Sequence, residues 1–196
     1  MAWLAAEMIK LAWRDANPEI VQFWYDLEHA AINAVENPGQ TFKAGEHVRL
    51  RVPKGSTFLK CILPSGRSIY YPYPRIEWRK TPWGKQKATL IYKCVDSFTR
   101  KWADQDYYGG LGSENVTQAA ARDVMAYSMT VCEDAGYSCV LTVHDENVVE
   151  TDDDFGTDED FHRLFTSPPP WTLPQGNRLG LPIAASGWDG ARYKKE

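Results

Sequence analysis

The feature that most constrains the fold is a change of period near residue 46. Before it, apolar residues recur at helical spacing. Leu4, Met8, Leu11 and Ala12 share one face of a segment over 2–14, and Ile20, Phe23, Trp24, Leu27, Ala31 and Val35 share one face of a second helix. Asn17-Pro18-Glu19 starts that second helix with a capping Asn, Pro at the first helical position and an acid in the first turn. Asn37-Pro38-Gly39 stops it. Both helices read as packing elements. From about 46 to 95 the period becomes two. Val48, Leu50 and Val52 alternate with His47, Arg49 and Arg51, as in a half-buried strand with a basic outer face. Strands follow over 58–63 and 68–71 around Pro64-Ser65-Gly66-Arg67, and over 75–79 and 87–92 around Pro82-Trp83-Gly84. A meander of antiparallel strands packed with helices is an α+β fold.

Two further elements carry candidate chemistry. Tyr107-Tyr108-Gly109-Gly110-Leu111-Gly112 reads as a flexible connector, and Ser113 then caps a helix over roughly 114–135, ended by Gly136. Val116, Ala120, Val124, Tyr127 and Val131 form its buried stripe. Gln118 and Arg122, four residues apart, share a face that points away from that stripe. A long amide and a guanidinium side by side suit phosphates or base edges, and they suit a solvated helix face equally. Ser138 to Val143 then reads as a buried strand and Val148-Val149 as the start of its return, with His144-Asp145-Glu146 at the hairpin tip. A carboxylate pair on a rigid strand end suits a metal ligand. The alternative is an ordinary polar turn. Beyond it, Thr151 to Asp154 reads as a solvated loop and 156–165 as a short helix capped by Thr157. The segment 167–171 reads as extended, 179–185 as a final strand, and 188–193 as the start of a basic tail.

Charge narrows the function classes. The net charge is −4, yet residues 43–101 hold 14 Lys/Arg against three acids, and residues 102–196 hold 17 acids against six Lys/Arg. A basic half with interleaved aromatics is an electrostatic footprint for nucleic acid, or else a solvated basic sheet face. The four cysteines show no C-x-x-C spacing, which favours a reduced intracellular protein over a zinc site or disulfide framework. Charged residues from Glu7 to Asp15 interrupt any signal-peptide core, and no stretch approaches the roughly 20 apolar residues of a membrane span.

The order of these parts resembles family A (polymerase I-like) DNA polymerases of the phage type. Asn17-Pro18-Glu19-Ile20 with Phe23-Trp24, Leu27-Glu28 and Ala30-Ala31 is similar to the helical segment that follows their nucleotide-binding fingers helix. Leu63-Pro64-Ser65-Gly66-Arg67 resembles the hairpin between fingers and palm. Tyr108-Gly109-Gly110, Glu114-Asn115, Gln118-Ala119 and Ala121-Arg122-Asp123 resemble the palm helix along the primer-template minor groove. Val143-His144-Asp145-Glu146 matches motif C, and Gly180-Leu181-Pro182-Ile183 with Gly187-Trp188 and Arg192-Tyr193-Lys194 is similar to the C-terminal end of phage members.

The resemblance implies two parts, the end of the fingers over 1–42 and the second part of the palm over 43–196. It implies DNA-directed DNA synthesis by two-metal nucleotidyl transfer, with Mg²⁺ as cofactor and primer-template DNA and deoxynucleoside triphosphates as partners. Asp145 would be the metal-binding carboxylate, Glu146 would support the site and His144 would approach the primer terminus. Gln118 would contact the duplex, with Arg122 a further contact. Bacterial members carry an Asn one turn before that Gln. Glu114 stands there in this chain, with the candidate Asn115 beside it. Two metals need two rigidly placed Asp. The first palm Asp motif and the R-x-x-x-K-x-x-x-F-x-x-Y-G fingers helix have no counterpart in these residues. The expectation is therefore a polymerase fragment in a bacterial cytoplasm, inactive alone and completed by the missing portion in cis or trans. A non-catalytic DNA-binding module or split-polymerase subunit is the alternative. An aromatic-rich carbohydrate-binding or hydrolase domain with Asp145 and Glu146 as acid and base is a third reading, and the opposite facing of adjacent strand residues disfavours such a pair flanking one glycosidic bond.

Overall fold

The computed structural model describes residues 2–80, 84–173 and 180–193. The fold is α+β with antiparallel sheets, and the chain forms two compact units, residues 1–119 and 120–196. The turn expected at Pro82-Trp83-Gly84, Leu179 of the expected last strand and Lys194 of the tail lie at least partly outside the described residues.

In the first unit, α1 (Ala2–Ala16) and α2 (Pro18–Glu36) precede a four-stranded sheet β1 (Thr41–Ala44), β2 (Val48–Arg51), β3 (Phe58–Ile62) and β4 (Ser68–Pro72), in that order. A three-stranded sheet follows: β5 (Arg75–Lys80), β6 (Gln86–Val95) and β7 (Trp102–Tyr107). Strand alternation sends Ala44, Val48, Leu50, Leu59, Cys61 and Tyr71 inward. Leu27, Ala30, Ala31 and Ala34 of α2 are buried in the same core, where the small alanines let the helix backbone lie close to the strands. Tyr71 joins the sheets, meeting Tyr92 and Tyr107 edge-on at 5.0 and 5.2 Å between ring centres. Burial alone pushes the Cys61 thiol up to about 12, so it stays protonated as a small core group.

Helix α1 forms, but Leu4, Met8 and Leu11 are exposed; Trp13 makes its aromatic contact, stacking on Trp24 at 5.6 Å. Asn17 does not cap α2 with its side chain, because its amide donates back to the Trp13 carbonyl. The stretch read as a flexible connector is ordered. Tyr107 ends β7, a strand the periodicity missed, and Gly109 to Gly112 open α3 (Gly109–Asp134). Gly109 lies so close to α2 that a Cβ there would overlap the Trp24 carbonyl oxygen. Glycine serves close packing at this position.

Of the expected α3 stripe, Val116 is buried in the core of the first unit. The second unit holds the rest of α3, where Met125, Ser128 and Cys132 are buried and Ala120, Val124, Tyr127 and Val131 are partly buried. The hairpin β8 (Ser138–Val143) and β9 (Glu146–Glu150) follows, then α4 (Asp158–Phe165). Thr157 caps α4 as expected, accepting from the Asp160 N–H at 3.1 Å. Tyr137 contacts Phe155 and Phe161, and Phe161 stacks on Phe165, forming a small aromatic core. The expected extended run at 167–171 turns into a 3-10 helix at Pro170–Thr172, and residues 180–185 form no strand. No helix among the described residues is long and apolar enough to cross a membrane.

Candidate functional site

The β8–β9 hairpin forms with the strand span read from sequence, and its tip is tighter. Val143 pairs with Glu146, which leaves His144 and Asp145 as a two-residue turn. Glu146 is the first residue of β9, where its backbone is held by strand pairing. So tight a connection requires a positive φ in the turn, and His144 supplies it at +56°. A histidine there carries backbone strain that a glycine would not. Val140 is an extra residue in β8, since Cys139 pairs with Val149 but Leu141 with Val148. Such a bulge twists the strand and re-aims the side chains beyond it, which here lead to Asp145. The strand expected to be buried is largely exposed, with Val140 55% and Leu141 46% accessible. Its sheet has two strands, so neither face gains cover from a third.

Polar contacts brace the base of the hairpin. Glu133 of α3 accepts from the Cys139 N–H at 2.6 Å, and the Asn147 amide donates to Cys139 Sγ at 3.1 Å. Burial raises the Cys139 thiol above its ordinary value, with the Asn147 bond opposing. The Tyr193 hydroxyl donates to Glu146 Oε2 at 3.1 Å and is thereby itself shifted upward. Sequence reasoning missed Tyr193 and Glu133 as supports. Tyr193 lies 47 residues from its partner, and no local pattern announces such a pair.

Gln118 is exposed on α3, its amide donating to Glu114 Oε1 at 3.2 Å. Asn115 is partly buried and donates to the Tyr71 hydroxyl at 3.1 Å, a contact within the first unit. Arg122 is exposed and belongs to the second unit. Arg67, in the turn between β3 and β4, donates to the Ala119 carbonyl at 2.9 Å.

Much of the basic region is neutralised internally. Arg75 donates to both oxygens of Asp104, Lys93 also pairs with Asp104, Arg79 pairs with Asp106, and Glu77 lies between the two arginines. Arg75 and Lys93 hold the Asp104 carboxyl far below the usual range. Lys87 pairs with Glu28 of α2.

Asp145 and Glu146 offer hard oxygen donors of the kind that Mg²⁺ takes. No three His, Cys, Asp or Glu side chains gather into a cation cage among the described residues. The donor set fits a contributor of one or two ligands to a metal site and does not by itself make a whole one.

The chain is similar to the DNA polymerase of Bacillus phage SP02, 35% identical over 190 residues. The match covers 97% of this chain and 27% of the length of that polymerase, so the chain spans about a quarter of its curated relative. No family model matches, and no solved structure matches.

Proposed function

We propose that the chain is part of a family A DNA polymerase of the phage type, comprising the end of the fingers (1–42) and the second part of the palm (43–196). That division follows role rather than packing. The observation that carries it is the similarity to a phage DNA polymerase along nearly the whole chain. The tight hairpin bearing Asp145 supports the motif C assignment.

When bound, Mg²⁺ activates the primer 3′-hydroxyl and stabilises the leaving pyrophosphate during template-directed DNA synthesis from deoxynucleoside triphosphates. In this chain Asp145 holds the metal from an exposed turn on a paired strand. Glu146 supports the site, its carboxylate oriented by Tyr193. His144 sits beside Asp145 at the tip and approaches the primer terminus. Gln118, Arg122 and Asn115 are the proposed DNA contacts on α3, with Asn115 reaching DNA only by exchanging its bond to Tyr71. The isolated chain does not synthesise DNA, because one Asp cannot hold two metals and no other carboxylate cluster completes the site among the described residues. The test mixes the chain with a polypeptide bearing the fingers helix and first palm Asp motif. Primer extension should appear only on mixing. Synthesis by the chain alone, or none by a stable complex of the two, overturns the proposal.

A further inference from the structure

The outer face of the β1–β4 sheet is assembled unlike any other charged surface of the first unit. Its outward positions include Lys43 on β1, Arg49 and Arg51 on β2, Phe58 and Lys60 on β3, and Tyr70 on β4. The pairing register sets Lys43 opposite Arg49 and Arg51 opposite Lys60. Like charges directly opposite one another destabilise a sheet. The neighbouring β5–β7 sheet avoids this cost by placing Asp104, Asp106 and Glu77 against its bases. The β1–β4 face carries no acid at any outward strand position, and none of its four cations has a carboxylate partner among the described residues. Beside the cations, Tyr70 is half exposed, with Phe58 against it edge-on at 6.1 Å and the Lys60 ammonium 5.2 Å from its ring centre.

We infer that this face binds single-stranded nucleic acid, the four cations tracking phosphates while Tyr70 and Phe58 stack on unpaired bases. Charge complementarity calls for a polyanion that relieves the cross-strand repulsion. The exposed rings select the single strand, because duplex DNA hides base faces inside the stack whereas an unpaired strand presents them to aromatic platforms. The face lies wholly within β1–β4 and shares no residue with the β8–β9 hairpin. Resting on the polymerase assignment proposed above, it adds a second, metal-independent contact to DNA, suited to template that is not yet copied.

The test is fluorescence anisotropy of the full chain, without metal, against a labelled oligothymidine of about 16 nucleotides and a duplex of equal length. The single strand should bind more tightly than the duplex, with a log–log salt slope of about −3 for four phosphates neutralised. Arg49→Gln with Arg51→Gln should weaken binding about tenfold or more and roughly halve that slope. Arg49→Lys with Arg51→Lys retains charge and should retain most of the affinity. Tyr70→Ala should weaken single-strand binding about fivefold or more and leave the duplex unchanged, while Tyr70→Phe keeps the ring and binds like the parent. Unchanged affinity in the double Gln variant, equal loss in the Lys variant, indifference to Tyr70→Ala, or preference for duplex overturns the assignment. Because Asp145 has no part in this assay, its failure leaves the metal-ligand proposal standing.

Discussion

At the residue scale, two positions make opposite demands on the backbone. His144 holds φ at +56° without being glycine, a strain of the order of 1 kcal/mol that persists where function or turn geometry over-determines it. His144→Gly should therefore raise the urea denaturation midpoint at unchanged slope, a gain of up to about 1 kcal/mol in unfolding free energy. If His144 approaches the primer terminus, the same variant loses synthesis in the completed enzyme. Stabilisation with full synthesis would assign His144 to the turn alone. Gly109 is the converse case, since a side chain there meets the Trp24 carbonyl. Gly109→Ala should cost about 2 kcal/mol or more, read as a lowered urea midpoint. The sequence marks both residues, but for other reasons than the structure shows. A Gly-rich run reads as flexible from local propensity, and only the approach of α2 reveals that Gly109 is needed for contact.

At the element scale, what was legible is what depends on local period. The second helix, the β3–β4 and β8–β9 hairpins and the Thr157 cap follow from spacing and turn residues a few positions apart. Strand β7 was not legible, because Asp104-Gln105-Asp106 breaks any apolar alternation over Trp102 to Tyr107, and the strand owes its place to pairing with β6. The β5–β7 ion ladder was equally hidden, since which base meets which acid depends on register across 27 to 29 residues. That ladder has a pH signature. Asp104 has its carboxyl lowered first by Arg75 and then by Lys93. A carboxyl depressed in the folded state binds fewer protons than in the unfolded chain, whose Asp titrates at about 3.9. Its stabilisation is thus complete above about pH 5 and is lost as the pH falls through the unfolded value toward the folded one. Asp104→Asn should flatten the acid limb of the stability profile over that window and change little at neutral pH beyond the lost pairing. An unchanged acid limb would mean that solvent screens the ladder completely.

At the scale of the whole molecule, two units carry two kinds of feature. The first unit has a deep core and the uncompensated basic sheet. The second has a small aromatic core and an exposed hairpin braced by Glu133, Asn147 and Tyr193. The candidate site was readable as a motif, since Val143-His144-Asp145-Glu146 is contiguous. Its supports were not, because they come from distant positions. A carboxylate that holds a metal rather than DNA has a separable phenotype. The most direct measurement is single-nucleotide incorporation by the chain mixed with a polypeptide that supplies the fingers helix and first palm Asp motif, run beside primer-template affinity in the same preparation. Asp145→Ala should reduce incorporation by at least about 100-fold while leaving DNA affinity within about threefold of the parent. Incorporation that survives Asp145→Ala, or a collapse of DNA affinity alongside it, would contradict the assignment of Asp145 as a metal ligand.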